Sequence, residues 1–280
     1  MNSSQYTTIT SRTRLLNLKL SELWFYRDLI AMYVKRDILT QYKQTIMGPL
    51  WLVLQPILTT IMFMFVFGNL AGISTDGIPQ PLFYYSGILL WSYFSECLTR
   101  NSKVFMDNQA IFGKVYFPRL VVPVSIIISN LVRFIIQFAI FLIIYLYYFF
   151  SGSLVVPNYY IFLLPLLILM TAGLSLGFGI IFSSLTTKYR DLAFLLQFGI
   201  QLWMYITPVI YPLNNIPPNK QWIIQMNPMT SIIETFKYGA IGTGVFSWFW
   251  LIYSFVFMTI LIVMGIIVFN KVEKGFVDTV

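Results

Sequence analysis

Three stretches of this sequence carry no charge: Gln44–Thr75, Phe134–Thr187 and Tyr238–Asn270. A helix crosses a bilayer with about 20 apolar residues, so the first and third stretches hold one span each and the second holds two. Small, polar and proline residues over Ser151–Pro157 divide the second stretch with a turn. Two more apolar runs complete the set. Phe83–Thr99 is interrupted only by Glu96, and Leu192–Tyr211 is uncharged with Pro208 near its far end. The spans read as Pro49–Leu70, Leu82–Thr99, Leu120–Phe150, Tyr159–Leu185, Leu192–Tyr211 and Phe246–Phe269. The fold class is an all-α integral membrane protein with six transmembrane helices. Only 10% of the chain is charged, against about 25% in soluble domains. That excludes a water-soluble fold, a disordered chain, a nucleic-acid module and a secreted disulfide scaffold.

Orientation follows from lysine and arginine. The N-terminal side receives Arg12, Arg14, Lys19, Arg27, Lys35, Arg36 and Lys43, then Arg100, Lys103, Lys114 and Arg119, then Lys188 and Arg190, then Lys271 and Lys274. The other side receives Lys220 and Lys237, while Arg133 lies inside a span. Such a bias places both termini in the cytoplasm. The polar, basic start lacks the pattern of a secretory signal peptide. The organisation reads as a cytoplasmic N-terminus over 1–48, a transmembrane domain over 49–270 and a cytoplasmic tail over 271–280.

Two segments are not spans. Within Ser21–Lys43, Tyr26, Leu29, Ile30 and Tyr33 share one helical face and Asp28 and Lys35 another, until Arg36 and Asp37 interrupt the pattern. This is an amphipathic helix for the cytoplasmic interface. It fits an anchor for the first span, and it also fits a gate whose Lys35, Arg36 and Lys43 meet lipid phosphate. The outer segment 212–247 has four prolines and two apolar pieces too short to span. Ser231 and Glu234 have capping-box spacing, which predicts a helix start there. Two short re-entrant helices fit the segment, as does a loop lying on headgroups.

The chemistry of catalysis is thin. There is no histidine, and Cys97 is the single cysteine. That leaves no intrachain disulfide and no metal set. No P-loop is present, and Gly239–Gly244 reads as a turn on the outer side. Glu96 lies one turn from Arg100 and is expected to pair with it. Arg133 is the one deep charge, and it suits either a passing substrate or a structural partner. Gly173, Gly177 and Gly179 permit close helix packing. Trp51, Trp91, Trp203, Tyr205, Tyr211, Trp222, Trp248 and Trp250 suit interface anchors, and some suit a path, because sugar C–H faces pack on aromatic rings.

The order of these parts resembles the membrane subunits of ABC type-2 exporters of lipid-linked bacterial polysaccharide: the O-antigen, capsule and teichoic acid permeases. The resemblance runs from about Leu23 to Phe276. It rests on Arg36-Asp37 followed by Tyr42–Trp51 and Pro56, on Lys114-Val115-Tyr116-Phe117-Pro118-Arg119, on Lys188-Tyr189-Arg190-Asp191, and on Thr207–Pro212 followed by Asn227-Pro228-Met229. It implies a homodimer of this chain with two separate ATPase subunits, which use ATP and magnesium, in the bacterial inner membrane. It implies a substrate glycan on an undecaprenyl diphosphate carrier. The candidate coupling residues are then Lys114, Tyr116, Phe117 and Arg119, with Lys188, Tyr189, Arg190 and Asp191. The aromatics of the first run are expected to be exposed for docking. Lys35, Arg36 and Lys43 become the candidate headgroup gate. A path along the first and fifth spans is expected to involve Trp51, Phe63, Arg133, Phe198, Trp203, Tyr205 and Tyr211. Rival readings are the same scaffold with another cargo such as a glycolipid or drug, an ATP-independent flippase or secondary carrier, and a membrane enzyme of glycan assembly. The flippase lacks an acidic relay, and the enzyme lacks a catalytic constellation.

Overall fold

The computed structural model describes residues 20–42, 48–112, 114–115, 117–153 and 155–276. Every regular element among them is helical. Helices α1 (Leu20–Phe25) and α2 (Arg27–Tyr42) come first, then α3 (Leu50–Phe63), which loosens into a π-helical stretch over Met64–Leu70. Helix α4 (Gln80–Asn101) leads through short α5 (Val104–Asp107) and α6 (Gln109–Phe112) to α7 (Val121–Phe150). A 3₁₀ turn at Tyr159–Leu163 opens α8 (Leu164–Lys188), followed by α9 (Leu192–Ile206), α10 (Pro218–Gln225), α11 (Pro228–Ile241) and α12 (Trp248–Phe276).

Among the described residues, four helical stretches are long and apolar enough to cross a membrane: Leu50–Leu70, Val121–Phe150, Tyr159–Lys188 and Trp248–Lys271. The two other expected spans differ from these. Helix α4 has 22 residues, about 33 Å at a rise of about 1.5 Å per residue, but its composition is more polar. It is the central helix, packed against α3, α7, α8, α9 and α11. Leu82, Phe83, Tyr84, Tyr85, Leu89 and Phe94 are buried there, so little of α4 has to match lipid. Helix α9 has 15 residues, about 22 Å, shorter than a hydrocarbon core of about 30 Å. It stops because Thr207 turns extended ahead of Pro208, where proline disfavours a helical predecessor.

Lipid tails are as apolar as leucine, so helices within a bilayer associate through close packing rather than through escape from water. The glycines of α8 serve this purpose inside the chain. A Cβ on Gly177 would stand 2.9 Å from Leu261 of α12, and one on Gly179 would overlap Asn101 of α4.

A second core lies at the end of the bundle that holds the α4–α7 connection. Tyr33, Phe105, Phe112, Phe117, Ile180 and Phe269 meet there, joining α2 to the connection, α8 and α12. The amphipathic reading of α2 needs correcting. Tyr33 is buried and Tyr26, Leu29 and Ile30 pack on this core, as expected, but Met32 and Leu39 of α2 are exposed, as are Trp24 and Phe25 of α1. Apolar residues therefore stand on both the inner and the exposed side of α2, and the buried Asp37 lies on the inner side.

Candidate translocation cleft and coupling face

A cleft of about 370 Å³ opens between α3 and α9, with α4 and α7 behind it. Helix α3 presents Gln55 and Thr59, α4 presents Ser92 and Glu96, α7 presents Arg133 and Gln137, and α9 presents Gln201. Arg133 Nη1 donates to Glu96 Oε1 at 2.9 Å. Ser92 Oγ donates to Gln137 Oε1 at 3.0 Å. Asn130, also on the cleft, gives its amide N–H to the Ile126 carbonyl at 3.0 Å. Gln55 and Arg133 stand on helices apolar enough to span, so the cleft lies at bilayer depth.

The expected Glu96–Arg100 pair is not formed. Glu96 takes Arg133 from the next helix, and Arg100 Nη2 instead donates to Asp37 Oδ2 at 3.0 Å. One turn separates Glu96 from Arg100, but α4 faces α7 at one and α2 at the other. Arg133 thus has a protein partner, the structural alternative for this residue.

Asp37 is buried and accepts from two arginines, Arg100 and Arg36, each at 3.0 Å. The Arg36 guanidinium also lies over the Tyr33 ring at 4.4 Å. Burial pushes the Tyr33 phenol up, against the pull of Arg36. Tyr33 meets the Phe117 ring at 6.1 Å, and Phe117 meets Phe112 at 5.7 Å. Phe117 is only 6% exposed. The expectation of an exposed docking aromatic therefore fails at Phe117, which shapes the loop from within. Arg119 is buried too, over the Phe112 ring. Lys114 and Val115 are the exposed members of the run, while Tyr116 lies outside the described residues. The connection is tied down at its start: Thr186 Oγ1 donates to the Ser102 carbonyl at 2.6 Å, and the Phe105 N–H to Ser183 Oγ at 3.3 Å. Lys188, Tyr189, Arg190 and Asp191 form an exposed turn between α8 and α9. Of the headgroup candidates, Lys35 is exposed, Arg36 is engaged with Asp37, and Lys43 lies outside the described residues.

The expected path residues divide. Trp51 of α3 and Phe198 and Tyr205 of α9 are exposed, as are Phe194 and Leu202 of α9 and Phe65 in the stretch after α3. Phe63 meets Tyr84 edge-on at 6.3 Å, and Trp203 packs inward between Trp91, Phe94 and Phe178. Tyr211 is half-buried, its hydroxyl donating to the Ile206 carbonyl at 2.7 Å. Trp203 thus positions α9 on α4, and Phe63 seats α3 on the same helix, rather than lining an open face.

At the far end, α11 is almost wholly buried. It begins at Pro228, where the Asn227 side chain accepts the Met229 N–H at 3.1 Å, and ends at Gly242 in the left-handed region. The predicted start at Ser231 is therefore displaced, because asparagine before proline is the stronger start signal. Glu234 is buried in mid-helix and accepts the Val245 N–H at 2.9 Å. Lys237, counted above as a loop charge, is 1% exposed. Its ammonium donates to the Pro208 carbonyl at 2.7 Å and sits 3.9 Å from the centre of the Phe83 ring. It joins the break after α9 to both α11 and α4.

The profile of the ABC-2 type transporter family matches residues 28–241, which takes in α2 through α11. The chain belongs to the ABC-2 type transporter family. It is 28% identical over 257 residues to the O-antigen export system permease protein RfbA of Klebsiella pneumoniae, covering 91% of this chain and 96% of that one. It is 27% identical over 219 residues to the protein of the same name from Myxococcus xanthus, covering 77% and 81%. The polysialic acid transport protein KpsM of Escherichia coli is 24% identical over 201 residues, 71% of this chain and 76% of that one. Sequence reasoning missed two features of this ABC-2 chain: the amide-rich cleft and the buried Lys237. The signal for the cleft is present in the sequence, as Gln55, Gln137 and Gln201 each fall inside a run otherwise suited to lipid.

Proposed function

We propose that this chain is the permease subunit of an ATP-driven exporter that carries undecaprenyl-diphosphate-linked polysaccharide of the O-antigen kind across the bacterial inner membrane. The observation that carries the reading is the cleft. An ion pair and several amides at bilayer depth are tolerated only beside protein or a wet cavity. Exposed aromatics also stand on α3 and α9, the helices that border the cleft, and in this reading that face meets a second copy and a water-filled path. The names of the related permeases support polysaccharide as cargo.

In this reading six helices cross the membrane, with α4 shielded by its neighbours and α9 completed by the segment after Pro208. Both termini are cytoplasmic, and α10 and α11 form a re-entrant outer gate. Two copies of this chain work with two ATPase subunits, which bind ATP and magnesium. Those subunits dock on the exposed Lys114 and Val115 and on the turn Lys188–Asp191. Phe117 and Arg119 hold the first loop in shape from behind. Lys35 and Lys43 meet the diphosphate headgroup. Chain export needs weak, repeated contacts that also release, which suits a lining of aromatics, amides and hydroxyls.

The test is co-expression with the partner ATPase, purification, and ATP hydrolysis measured with and without the lipid-linked glycan. A two-plus-two complex whose hydrolysis responds to that lipid is the expected result. No association and no response would return the flippase and membrane-enzyme readings to the front.

A further inference from the structure

We propose that the wide turn at the outer end of α3, Met64–Leu70, is a register switch: re-wound to α pitch, it turns the rest of α3 by about 100° beneath a fixed outer end. The trigger for the switch rests on the exporter reading; the switch itself goes beyond it.

The hydrogen bonds define the turn. The Ala71 N–H donates to the Val66 carbonyl at 2.9 Å, five residues back, and the Ile73 N–H to the Phe67 carbonyl at 2.9 Å, six residues back. An α-helix bonds four residues back. The stretch thus carries one residue more than an α turn accommodates. Such π turns occur mostly singly inside α-helices, and frequently at functional sites. Little inside this one holds it wide. None of its seven residues is buried, and Phe65, Val66 and Leu70 are exposed. The side chain of Gln80, the first residue of α4, lies against it: a Cβ on Gly68 would stand 2.6 Å from Gln80 Oε1 and 2.8 Å from Cδ. Glycine at 68 admits that carboxamide to the helix backbone, and the carboxamide, at the end of a flexible side chain, is a contact that can withdraw.

Helix α3 is also the span freest to turn. Its stretch is the least buried of the four long apolar ones, and of the fourteen residues of α3 only Leu52, Pro56 and Thr60 are buried. Its own ladder is weakened below the turn. Pro56 has no N–H to give the Leu52 carbonyl. Thr59 Oγ1 and Thr60 Oγ1 donate back to the carbonyls of Gln55 and Pro56 at 2.9 and 2.7 Å, a bond that slightly destabilises and bends helices. Above the turn the chain is tied down. Thr75 Oγ1 donates to the Ile78 carbonyl at 2.6 Å, Asn214 Nδ2 donates to Asp76 Oδ2 at 3.3 Å, and Ile78 and Leu82 are buried.

The consequence is a change of face rather than of position. Turning by about 100° moves a side-chain tip about 8 Å on a helix about 10–12 Å across. That carries Gln55 and Thr59 off the cleft wall and redirects the exposed Leu58, Ile61 and Met62.

The experiment uses the complex with its ATPase partner in lipid nanodiscs. Cys97 is the only native cysteine and is buried; Cys97→Ser gives the background. Single cysteines replace each residue over 57–63 and, above the turn, Ala71 and Ile73. The rate of labelling by a methanethiosulfonate is measured at each, with and without ATP and vanadate. One residue of α-helix is about 100° of rotation. The expected result is therefore that nucleotide displaces the profile over 57–63 by one position along the sequence, while Ala71→Cys and Ile73→Cys keep their rates. Deleting Val66 removes the extra residue and should fix the displaced profile with or without nucleotide. Gly68→Ala keeps the chain length, pushes out the Gln80 carboxamide and favours α pitch. It should raise the displaced population about two- to fivefold without nucleotide, and it decides alone if the deletion prevents assembly. An undisplaced profile in the variants, or displacement of 57–63 together with 71 and 73, overturns the proposal. So does displacement in the variants with none on nucleotide, since a turn that the working complex never re-winds is a fixed widening. Export of the lipid-linked glycan by the unsubstituted complex is measured alongside. Export with an undisplaced profile removes the switch and leaves the exporter standing. Displacement without export keeps the switch and removes the exporter reading.

Discussion

Asp37→Asn tests whether α2 is held by one buried carboxylate. Asp37 accepts from Arg100 at 3.0 Å and from Arg36 at 3.0 Å, and its side chain is 9% exposed. Hydrogen bonds to charged groups are each worth about 1.5–3 kcal/mol. The Arg100 side chain is 24% exposed and keeps most of that value, whereas that of Arg36 is 46% exposed and is discounted by solvent. Asparagine retains one acceptor oxygen but no charge. The predicted loss is about 2–3 kcal/mol, most of it from the Arg100 contact. Because that contact joins α2 to the end of α4, the loss falls on local opening of α2 and not on the whole bundle. Hydrogen exchange of the α2 amides should accelerate roughly 30- to 150-fold, with exchange in α8 unchanged. Arg36→Gln should cost less than about 1 kcal/mol. The double variant Asp37→Asn with Arg100→Gln should cost less than the two singles added, since both remove one contact. Equal effects of Asp37→Asn and Arg36→Gln, or no acceleration in α2, would refute the assignment of Arg100 as the partner that matters.

Five further outcomes follow from other positions. Gly239→Ala places a Cβ 2.8 Å from the Ile161 nitrogen, which is backbone and cannot swing aside; thermal unfolding should show a loss of about 1–3 kcal/mol. Gly199→Ala meets nothing within 4 Å and should be neutral or gain up to about 1 kcal/mol from helix propensity. Phe117→Ala empties a buried aromatic site between Tyr33 and Phe112, and glycan exported per ATP hydrolysed should fall, with Phe117→Leu restoring most of it. Glu96→Gln alone and Arg133→Gln alone leave the cleft charged, so the double variant should export more than either single in a vesicle transport assay. Neutralising Lys35 and Lys43 should weaken binding of a diphosphate-linked lipid by about 1 kcal/mol each, read by lipid flotation, and unchanged binding would leave α2 as an anchor only.

The sequence carries the long spans well, because the absence of charge over whole stretches admits few alternatives. Their ends are equally readable at Ser151, where α7 stops, and at Pro208, which α9 cannot pass. What it conceals is rotation and partnership. Glu96 and Arg100 satisfy the one-turn rule, yet each bonds a residue on another helix, and local spacing says nothing of those neighbours. Lys237 reads as a loop charge under a rule that counts cations by side, since the rule is blind to burial. Phe117 stands in a polar run and is buried because α2, remote in sequence, folds over it. Trp203 and Phe198 sit on one short helix with the same apparent character. Only packing against Trp91 and Phe94 separates the inward ring from the outward one.

The two ion pairs on α4 place the contact with α2 and the contact inside the cleft on one helix. Arg100 bonds Asp37 of α2, which shares its aromatic core with Phe117 behind the proposed ATPase-facing loop. Glu96, four residues earlier and about 6 Å along the helix axis, bonds Arg133 inside the cleft. Under the proposed coupling, the packed core and the buried Asp37–Arg100 contact form an unbroken chain of contacts from the loop to α4, which carries Glu96 into the cleft. An ion pair suits that position better than a hydrophobic contact. It has one short-range optimum, and breaking it within a wet cleft costs little because water and the adjacent amides take up both charges.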